Sequence, residues 1–487
     1  MNMPISELGK INWKNPDVNK LFEILSKQFD KMDQKMKRLE KENQKLVAEN
    51  QKVITENSKM RAHIDELTKT IEELKKKKGR SKKVRSYNTR EFKGYPHVQK
   101  PSKAPKYAQQ NHPTVSKTMD GRFCPKCGDR LAESSHSYPR CGETIVDGRW
   151  TKVNMTIQGR YCKKCRVVQY AQPADFMPKE HFGIDIMTQV SAMRHLTISY
   201  GKIQKMFQMF YGRDIAMSTL EDLDYRVSIH MEQLYYGLLE ELVTAKIVSG
   251  DETGWYFNGK LCWTWAFLSD TCTVYHISNS RSKLVSETFL SDFEGILMGD
   301  SHPAWSVSEI LQKCLLHYFR DMYRTLDKND SKEFKAFFDE LYKILKSAIK
   351  LRKKYDSVKK IPKRSVQKLQ NRIDALATDT YDNNDCTRYV KRLKREGKSL
   401  LTFLKHEGVP YHNNSSEQAM RTFAIMRKIF YGSRSERGLK TTEIRETIFA
   451  TCEKRDINPY QFIMDYLGGK AAEIPAPKEP MPVPVAA

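Results

Sequence analysis

The N-terminal part of the chain carries a hydrophobic repeat in steps of three and four residues. The apolar positions of this seam are Phe22, Leu25, Phe29, Met32, Met36, Leu39, Leu46, Val53, Met60, Ile64, Leu67, Ile71 and Leu74. Such a repeat is typical of a coiled coil, and Asn43, Asn50 and Asn57 fall at a positions, where asparagine fixes register and favours a parallel dimer. We therefore predict a dimerisation helix over residues 18–78 rather than a single solvated helix.

Two further segments have compositions that cannot bury a core. Residues 79–116 open with a run of lysine and arginine and continue as a polar stretch punctuated by proline, which predicts a basic linker. Phosphate neutralisation by this linker and a purely solubilising hinge are equally compatible with its composition. Residues 469–487 are rich in proline and are expected to form a disordered tail.

Two CxxC pairs mark a compact segment, residues 117–175. The pairs are Cys124 with Cys127 and Cys162 with Cys165. Four thiolates suit tetrahedral Zn²⁺, and because they leave no open position for water the site is expected to be structural. The 34 residues between the pairs exceed the usual spacing of about 15–20. Cys141 is thus either a core thiol or a substitute ligand, and His136 is a further candidate.

Residues 176–245 show a helical hydrophobic period with a turn near Gly212. Ser218–Glu221 has the form of a capping box, which predicts the start of a new helix. Two helices joined by a short turn admit a DNA-binding helix-turn-helix, although helical hairpins also occur in ordinary cores.

The period changes to that of strands after residue 245. Three β-rich runs follow, with turn signals at Asn258-Gly259 and Ser269-Asp270, then a helix-like stretch and another apolar run. This order is the opening order of a ribonuclease H-like fold. We therefore predict a multidomain α+β protein whose ribonuclease H-like catalytic domain spans residues 246–327 and 406–468.

Three acids in this region are candidates for metal chemistry. Asp251 and Asp300 each follow an apolar run, and Glu417 opens a helical stretch behind the capping residues 413–415. Phosphodiester chemistry uses two divalent ions held by carboxylates, and hard oxygen ligands suit Mg²⁺ or Mn²⁺. From spacing alone, each acid is also compatible with an ordinary turn or cap.

The charge balance indicates a polyanionic partner. The 487 residues include 84 Lys plus Arg against 59 Asp plus Glu, a net charge of +25. Residues 328–405 are predicted to form a basic helical insertion, and within it residues 343–372 hold twelve cations against one acid. We predict DNA contacts from this insertion through Lys353, Lys354, Lys359 and Lys360, against a merely solvated cationic face. Membrane spanning and secretion are disfavoured, because no long apolar run or signal-peptide core occurs.

Several motifs resemble those of a DDE transposase of the insertion-sequence-sixty-six family. The matching stretches are DET at Asp251, GD at Asp300, CLLHYFR with His317 and Arg320, NNSSEQAMR with Glu417, and the C-terminal run from Tyr431 to Leu467. Together with the zipper and the cysteine pairs, they cover most of residues 20–470 in the family's order. The resemblance implies that Asp251, Asp300 and Glu417 are the catalytic, metal-binding triad.

The resemblance also implies the reaction and its partners. We expect metal-dependent cleavage of transposon ends and strand transfer into target DNA, with two Mg²⁺ or Mn²⁺ ions, a structural Zn²⁺, double-stranded DNA, and a homodimer or higher oligomer. His317, Arg320 and Arg421 are expected to contact DNA. The expected location is the cytoplasm, at the nucleoid, and a role for small accessory proteins of the element is left open.

Two positions depart from the family pattern. His412 stands where the family has an acid, and Gln418 stands where it has an arginine. Neither departure removes a member of the triad. The alternatives are a catalytically retired DNA-binding regulator derived from a transposase and a nuclease that cuts without joining.

Overall fold

The computed structural model describes Lys37, Gln44 and residues 112–477. The predicted coiled coil over 18–78 therefore lies outside the described residues except at Lys37 and Gln44, which are helical and exposed. The linker up to residue 111 and the tail beyond residue 477 also lie outside them. Residues 469–477 of the predicted disordered tail are described, and the side chain of Ile474 is buried in the core, so the tail prediction is wrong for this part. The continuous described stretch falls within one compact unit, residues 103–487.

The first sheet is built on a long strand with regularly alternating burial. Its strands are β1 (Thr114–Met119), β2 (Ser134–Val146), β3 (Arg149–Cys162) and β4 (Val167–Tyr170). β3 lies between β1, which is parallel to it, and β2, which is antiparallel, and β4 also pairs with β3. β1 begins inside the segment predicted as a linker. The turn from β2 to β3 is Asp147-Gly148, both with positive φ.

Four helices follow the first sheet. They are α1 (Ile184–His195), α2 (Tyr200–Tyr211), α3 (Met217–His230) and α4 (Glu232–Val243). The turn predicted near Gly212 is confirmed, because α2 ends there in a left-handed conformation with φ 62°. The predicted new helix is confirmed and begins at Met217, but the capping box is wrong, since Ala216 is the N-cap residue and Ser218 lies inside the first turn. Ile215, before the helix, and Leu220, in its first turn, are both buried.

The second sheet has five strands. They are β5 (Ile247–Phe257), β6 (Lys260–Leu268), β7 (Thr273–Ser278), β8 (Ile296–Gly299) and β9 (Ile310–Lys313), with α5 (Lys283–Phe289) between β7 and β8. The strand order is β7-β6-β5-β8-β9, antiparallel from β5 to β7 and parallel from β5 to β9. The predicted order of three strands, a helix and a strand is thus confirmed, as is the turn at Asn258-Gly259, where both φ angles are positive.

The chain after β9 is helical. The helices are α6 (Leu315–Leu326), α7 (Lys332–Lys354), α8 (Lys363–Thr378), α9 (Asn384–Glu396), α10 (Asn414–Phe430), α11 (Glu436–Lys454) and α12 (Pro459–Leu467). α10 packs on β5 and β6, and α11 packs on β7 and on α3. Together with the first sheet, these elements confirm a mixed α+β architecture. Within the described residues, no helix has the length and apolarity that crossing a membrane requires.

Helices α6 to α9 enclose a core of their own. Leu345 and Leu369 are buried in it, and Ile349 packs against it. The lysines on the same helices point outward, as the amphipathic pattern of the sequence predicted.

Candidate functional site

Asp251 lies on β5 of the second sheet, and Asp300 directly follows β8, the parallel neighbour of β5. β5 and β8 pair with Ser249 opposite Met298, and the same register continued by two residues sets Asp251 level with Asp300. Both aspartates are partly buried. The fold therefore brings the two acids predicted from the sequence level with each other, at the middle of β5 and just beyond the end of β8.

One tryptophan explains why each aspartate follows a glycine. Trp305 is almost fully buried, and a β-carbon at Gly250 would overlap its indole ring. A β-carbon at Gly299 would lie 2.6 Å from the Cβ of Trp305. Each aspartate thus follows a glycine because the Trp305 side chain leaves no room for a β-carbon at either position.

A fourth carboxylate, Glu252, lies beside the first aspartate, and sequence reasoning missed it. Trp305 Nε1 donates a hydrogen bond of 2.6 Å to Glu252 Oε2. Arg281 donates to Glu252 Oε1 at 2.7 Å. The Glu252 side chain is 1% exposed and forms an ion pair with Arg281, which is itself exposed.

Glu417 lies in the first turn of α10, and two side chains anchor that turn to β5. Asn413 occupies the N-cap position, but its side chain makes no capping hydrogen bond to the helix. Instead, its Nδ2 donates a hydrogen bond of 2.8 Å to the Gly250 carbonyl. Ser416 Oγ lies 3.0 Å from Ser249 Oγ. These bonds hold the helix that carries Glu417 against the strand that carries Asp251.

The charges of the three acids act on one another. Burial raises the pKa of Asp251 to about 7, and the negative charges of Glu252, Asp300 and Glu417 act in the same direction, against a backbone hydrogen bond from Glu252. Asp300 is oriented locally, since its Oδ1 accepts from His302 N at 2.8 Å. The arrangement concentrates carboxylates in a place where they repel each other.

Two basic residues of the predicted motif lie beside Glu417. Arg320 Nη2 is 3.4 Å and His317 Nδ1 is 3.6 Å from Glu417 Oε1. Arg320 Nη1 also lies 3.4 Å from His317 Nε2. α6 thus supplies positive charge to the third acid, while Arg421, one turn further along α10, is exposed.

A buried lysine supports the loop behind Asp300, and no pattern in the sequence distinguished it. Lys313 Nζ donates to the carbonyl oxygens of Asp300 and Trp305, both at 2.9 Å. Burial lowers the pKa of Lys313 to about 8, although the charges of Glu396 and Asp300 favour its protonated form. Lys313 therefore joins β9 to the loop that carries the second acid.

The basic insertion also reaches this loop. Glu396, the last residue of α9, is buried and accepts hydrogen bonds from Ser301 at 3.0 Å and from Tyr318 at 2.7 Å. Arg392 donates to Glu396 at 3.1 Å and also bonds Ser301. The residue after Asp300 is therefore held by α9.

The two cysteine pairs come together at the end of the first sheet. The Sγ atoms of Cys124 and Cys165 are 3.9 Å apart, those of Cys127 and Cys162 are 3.5 Å apart, and all four lie within 4.8 Å of one another. Burial opposes ionisation of Cys124, but the backbone N–H groups of Lys126 and Cys127 and the thiols of Cys127 and Cys162 favour it, and the pKa of Cys124 falls to about 7. This cluster can hold zinc, as the sequence predicted.

The two further candidate ligands of the first sheet lie on β2. Cys141 is exposed, and its thiol donates to Asn154 Oδ1 at 3.3 Å. It is not a member of the four-sulfur cluster, so the structure does not support its role as a substitute ligand. His136 is exposed on the same strand.

The lysines predicted to bind DNA lie at the surface of the insertion. Lys353 and Lys354 end α7, and Lys359 and Lys360 lie in the turn that follows; all four are exposed. Lys360 pairs with Asp356 at 2.8 Å.

Of the two departures from the family pattern, Gln418 is exposed and His412 is buried, with a pKa lowered by that burial.

Known proteins give this geometry a family context. The chain resembles two uncharacterized proteins of Sinorhizobium fredii along most of its length. The protein y4jD is 23% identical over 72% of this chain and 74% of the relative. The protein y4hP is 21% identical over 73% of this chain and 70% of the relative. A third, y4jO, is 31% identical over 17% of this chain and 26% of the relative. The family model described as "Transposase IS66 family" matches residues 182–441. That match takes in more than half of the sequence and all three acids of the site, and so the chain belongs to the IS66 family of transposases.

Proposed function

We propose that this transposase cuts phosphodiester bonds at the ends of its element and joins the new 3′-hydroxyl to target DNA, with Asp251, Asp300 and Glu417 as the catalytic triad. The observation that carries the proposal is the placement of these acids. Asp251 lies within β5, Asp300 directly follows the parallel strand β8, and Glu417 lies in the first turn of the helix that Asn413 and Ser416 hold on β5. The charges of Asp300 and Glu417 add to the effect of burial in raising the pKa of Asp251. Carboxylates crowded in this way are typical of sites that bind cations.

The topology of the second sheet supports a ribonuclease H-like catalytic domain. Its strand order, with an antiparallel β5–β6–β7 meander and β8 and β9 added in parallel on the other side of β5, is that of this fold. In such a sheet the first acid lies on the central strand and the second follows its parallel neighbour, as Asp251 and Asp300 do here.

The donor set fits divalent metal ions. The three acids offer hard oxygen ligands, which suit Mg²⁺ or Mn²⁺, and their mutual repulsion would be relieved by a cation. The chemistry supplied by two such ions is activation of the attacking oxygen and stabilisation of the leaving oxygen. Because the carboxylates act as ligands, no covalent intermediate with the protein is required.

The surrounding residues position this set. Asn413 and Ser416 fix the helix of Glu417 on β5, Trp305 fixes the two strands, and Lys313 fixes the loop of Asp300. Arg320, half-exposed at the edge of the site, is placed to receive a DNA phosphate.

We infer further roles for the remaining parts. The exposed lysines of residues 353–360 contact the DNA backbone, which makes binding dependent on salt. The four-cysteine cluster holds a structural Zn²⁺. Residues 18–78 form the coiled coil of a dimer or higher oligomer. Deletion of residues 1–78 should therefore lower the number of subunits per particle, measured as molar mass by light scattering.

Cleavage of DNA that carries the flanks of this gene tests the proposal. We expect nicking at a defined end with Mg²⁺ or Mn²⁺ in the wild type, and none in Glu417→Gln or Asp300→Asn, which should still bind the ends. Glu294→Gln is the control, because Glu294 is an exposed acid of the loop before β8. Specific binding without cleavage in every protein would favour the retired regulator, and cleavage without joining would favour a nuclease.

A further inference from the structure

Cys314 has the surroundings of a metal-binding cysteine. It lies at the N-cap of α6, and the backbone N–H of Asn413 bonds its sulfur at 3.3 Å. Burial raises the pKa of the Cys314 thiol and the charge of Glu417 acts in the same direction, against the N–H groups of His317, Asn413 and Leu316. Cysteine binds metals as the thiolate, so a metal ion at this position would have to displace the thiol proton.

The same pattern occurs in the four-cysteine cluster. The N–H groups of Lys126 and Cys127, two and three positions after Cys124, act to lower the pKa of its thiol. Those of Leu316 and His317, again two and three positions later, act in the same direction on Cys314, although burial keeps the pKa of Cys314 raised. The spacing is also the same, since CLLH is a CxxH sequence where the cluster has CxxC. Cys314 and His317 thus reproduce a zinc knuckle with histidine as its second ligand.

Glu417 supplies a third donor. The ligand atoms of Cys314, His317 and Glu417 all lie within 4.8 Å of one another, and His317 Nδ1 is 3.6 Å from Glu417 Oε1. Ligand atoms bound 2.0–2.3 Å from a tetrahedral ion lie roughly 3.5 Å apart. His317 Nδ1 is also buried and has no hydrogen-bond partner, so it is an orphaned nitrogen facing this group.

The chemistry of these donors selects the ion. A thiolate and an imidazole are softer than carboxylate oxygen, and together with one carboxylate they suit Zn²⁺ and disfavour Mg²⁺. The carboxylate is shared with the triad proposed for cleavage.

We propose that Cys314, His317 and Glu417 form a second zinc site, and that zinc bound there removes Glu417 from the catalytic set and inhibits cleavage. The binding stands on the geometry alone, whereas the inhibition rests on the function proposed above. Three protein ligands leave a fourth position open to water.

Arg320 competes with the metal. Its guanidinium contacts both Glu417 Oε1 and His317 Nε2, each at 3.4 Å, and so supplies the positive charge that zinc would bring. Metal on Nδ1 places the imidazole proton on Nε2, which would then face the Arg320 N–H groups. Zinc binding therefore requires Arg320 to leave, and Arg320→Gln should bind zinc more tightly than the wild type.

Metal binding to the full chain tests the site without reference to activity. Titration with Co²⁺, read by the near-ultraviolet absorption of cobalt–thiolate bonds, should show one site more in the wild type than in Cys314→Ser. The zinc affinity of this site should fall at least about tenfold in Cys314→Ser. Loss of a residue that only hydrogen-bonds a metal ligand already lowers metal affinity about 10- to 100-fold. Cys386→Ser is the control, because Cys386 is a buried thiol in the first turn of α9. Equal site numbers and affinities in wild type and Cys314→Ser would overturn the proposal.

Inhibition is measured separately, as Mg²⁺-dependent cleavage against rising Zn²⁺. We expect Cys314→Ser to require at least about tenfold more zinc for half-inhibition and Arg320→Gln to require less. Zinc binding with unchanged zinc sensitivity in Cys314→Ser would overturn the inhibitory role alone. A protein that binds zinc at Cys314 but cleaves no DNA under any condition would instead contradict the proposed transposase activity.

Discussion

The indole of Trp305 lies so close to the Cα of Gly250 that no β-carbon fits between them. The same ring closes over Gly299, and its nitrogen bonds Glu252. Trp305 therefore packs against β5 and β8 at the residues directly before the two aspartates. The positions of Asp251 and Asp300 depend on this contact as much as on their own strands.

Gly250→Ala should impair both stability and cleavage. Overpacking of a tight core costs about 1–3 kcal/mol, and the added methyl group must displace Trp305 or β5. We expect a lower unfolding free energy in denaturant and a larger loss in metal-dependent cleavage than in DNA binding.

Gly237→Ala is the matched control, because Gly237 lies in α4 with no atom near its would-be β-carbon. This change should stabilise the protein by about 0.5–1 kcal/mol, the usual advantage of alanine in a helix. Unchanged stability and cleavage in Gly250→Ala would show that Trp305 does not constrain the strands.

Lys313→Met should detach the loop that carries Asp300. The change leaves the buried carbonyls of Asp300 and Trp305 without their donor, which costs about 1–3 kcal/mol for each unsatisfied group. We expect cleavage to fall more than stability alone explains, when activity is measured well below the melting temperature.

Lys454→Met separates these two effects. Lys454, the last residue of α11, is also buried and bonds two carbonyls, those of Ser269 and Cys272, but these belong to the β6–β7 turn. Its loss should cost similar stability and leave the cleavage rate of the folded protein unchanged. Equal activity losses in the two variants would show that Lys313 acts only through global stability.

Zinc removal should unfold the first sheet before the catalytic part. The cluster's sulfurs tie the turn around Cys124 to the end of β3 at Cys162, so Cys162→Ser should expose residues 120–170 to hydrogen exchange. Cys141→Ser should leave exchange unchanged, because Cys141 is exposed and outside the cluster. Equal protection of residues 120–170 with and without zinc would contradict a structural role for the metal.

The sequence predicted what local patterns encode. Asp251 and Asp300 stood out because each ends an apolar run, and the cysteine pairs because of their spacing. Glu252 and Lys313 could not be found in this way, since a buried charge is recognisable only by partners such as Arg281 and the Asp300 carbonyl, which are distant in sequence.

Local signals also failed where tertiary contacts outweighed them. Ser218 has the sequence of a capping residue, yet it lies inside the first turn of α3, and Ile215 and Leu220 around that turn are buried. Asn413 was correctly predicted as a capping position, but its side chain is used to hold β5. For Asn413, a contact between elements decides what the side chain does.

His195 joins α1 to α11 by a contact that requires its charge. Its Nδ1 lies 2.8 Å from Glu446 and its Nε2 lies 3.0 Å from Glu453. Only the imidazolium can donate from both nitrogens. Burial disfavours that charge, but the two carboxylates outweigh it and raise the pKa of His195 to about 9.

Stability at this contact should therefore decrease at alkaline pH. Because the folded pKa lies above the usual 6.5, the contribution is complete below about pH 6.5 and is lost as the pH rises through about 9. We expect His195→Gln to cost about 2–3 kcal/mol of unfolding free energy at pH 6 and little at pH 10, when both proteins are unfolded in denaturant. In Glu453→Gln the loss should begin at lower pH, because one of the two carboxylates that raise the pKa is gone. An equal cost of His195→Gln at both pH values would mean that the ring packs on Phe449 without its charge contributing.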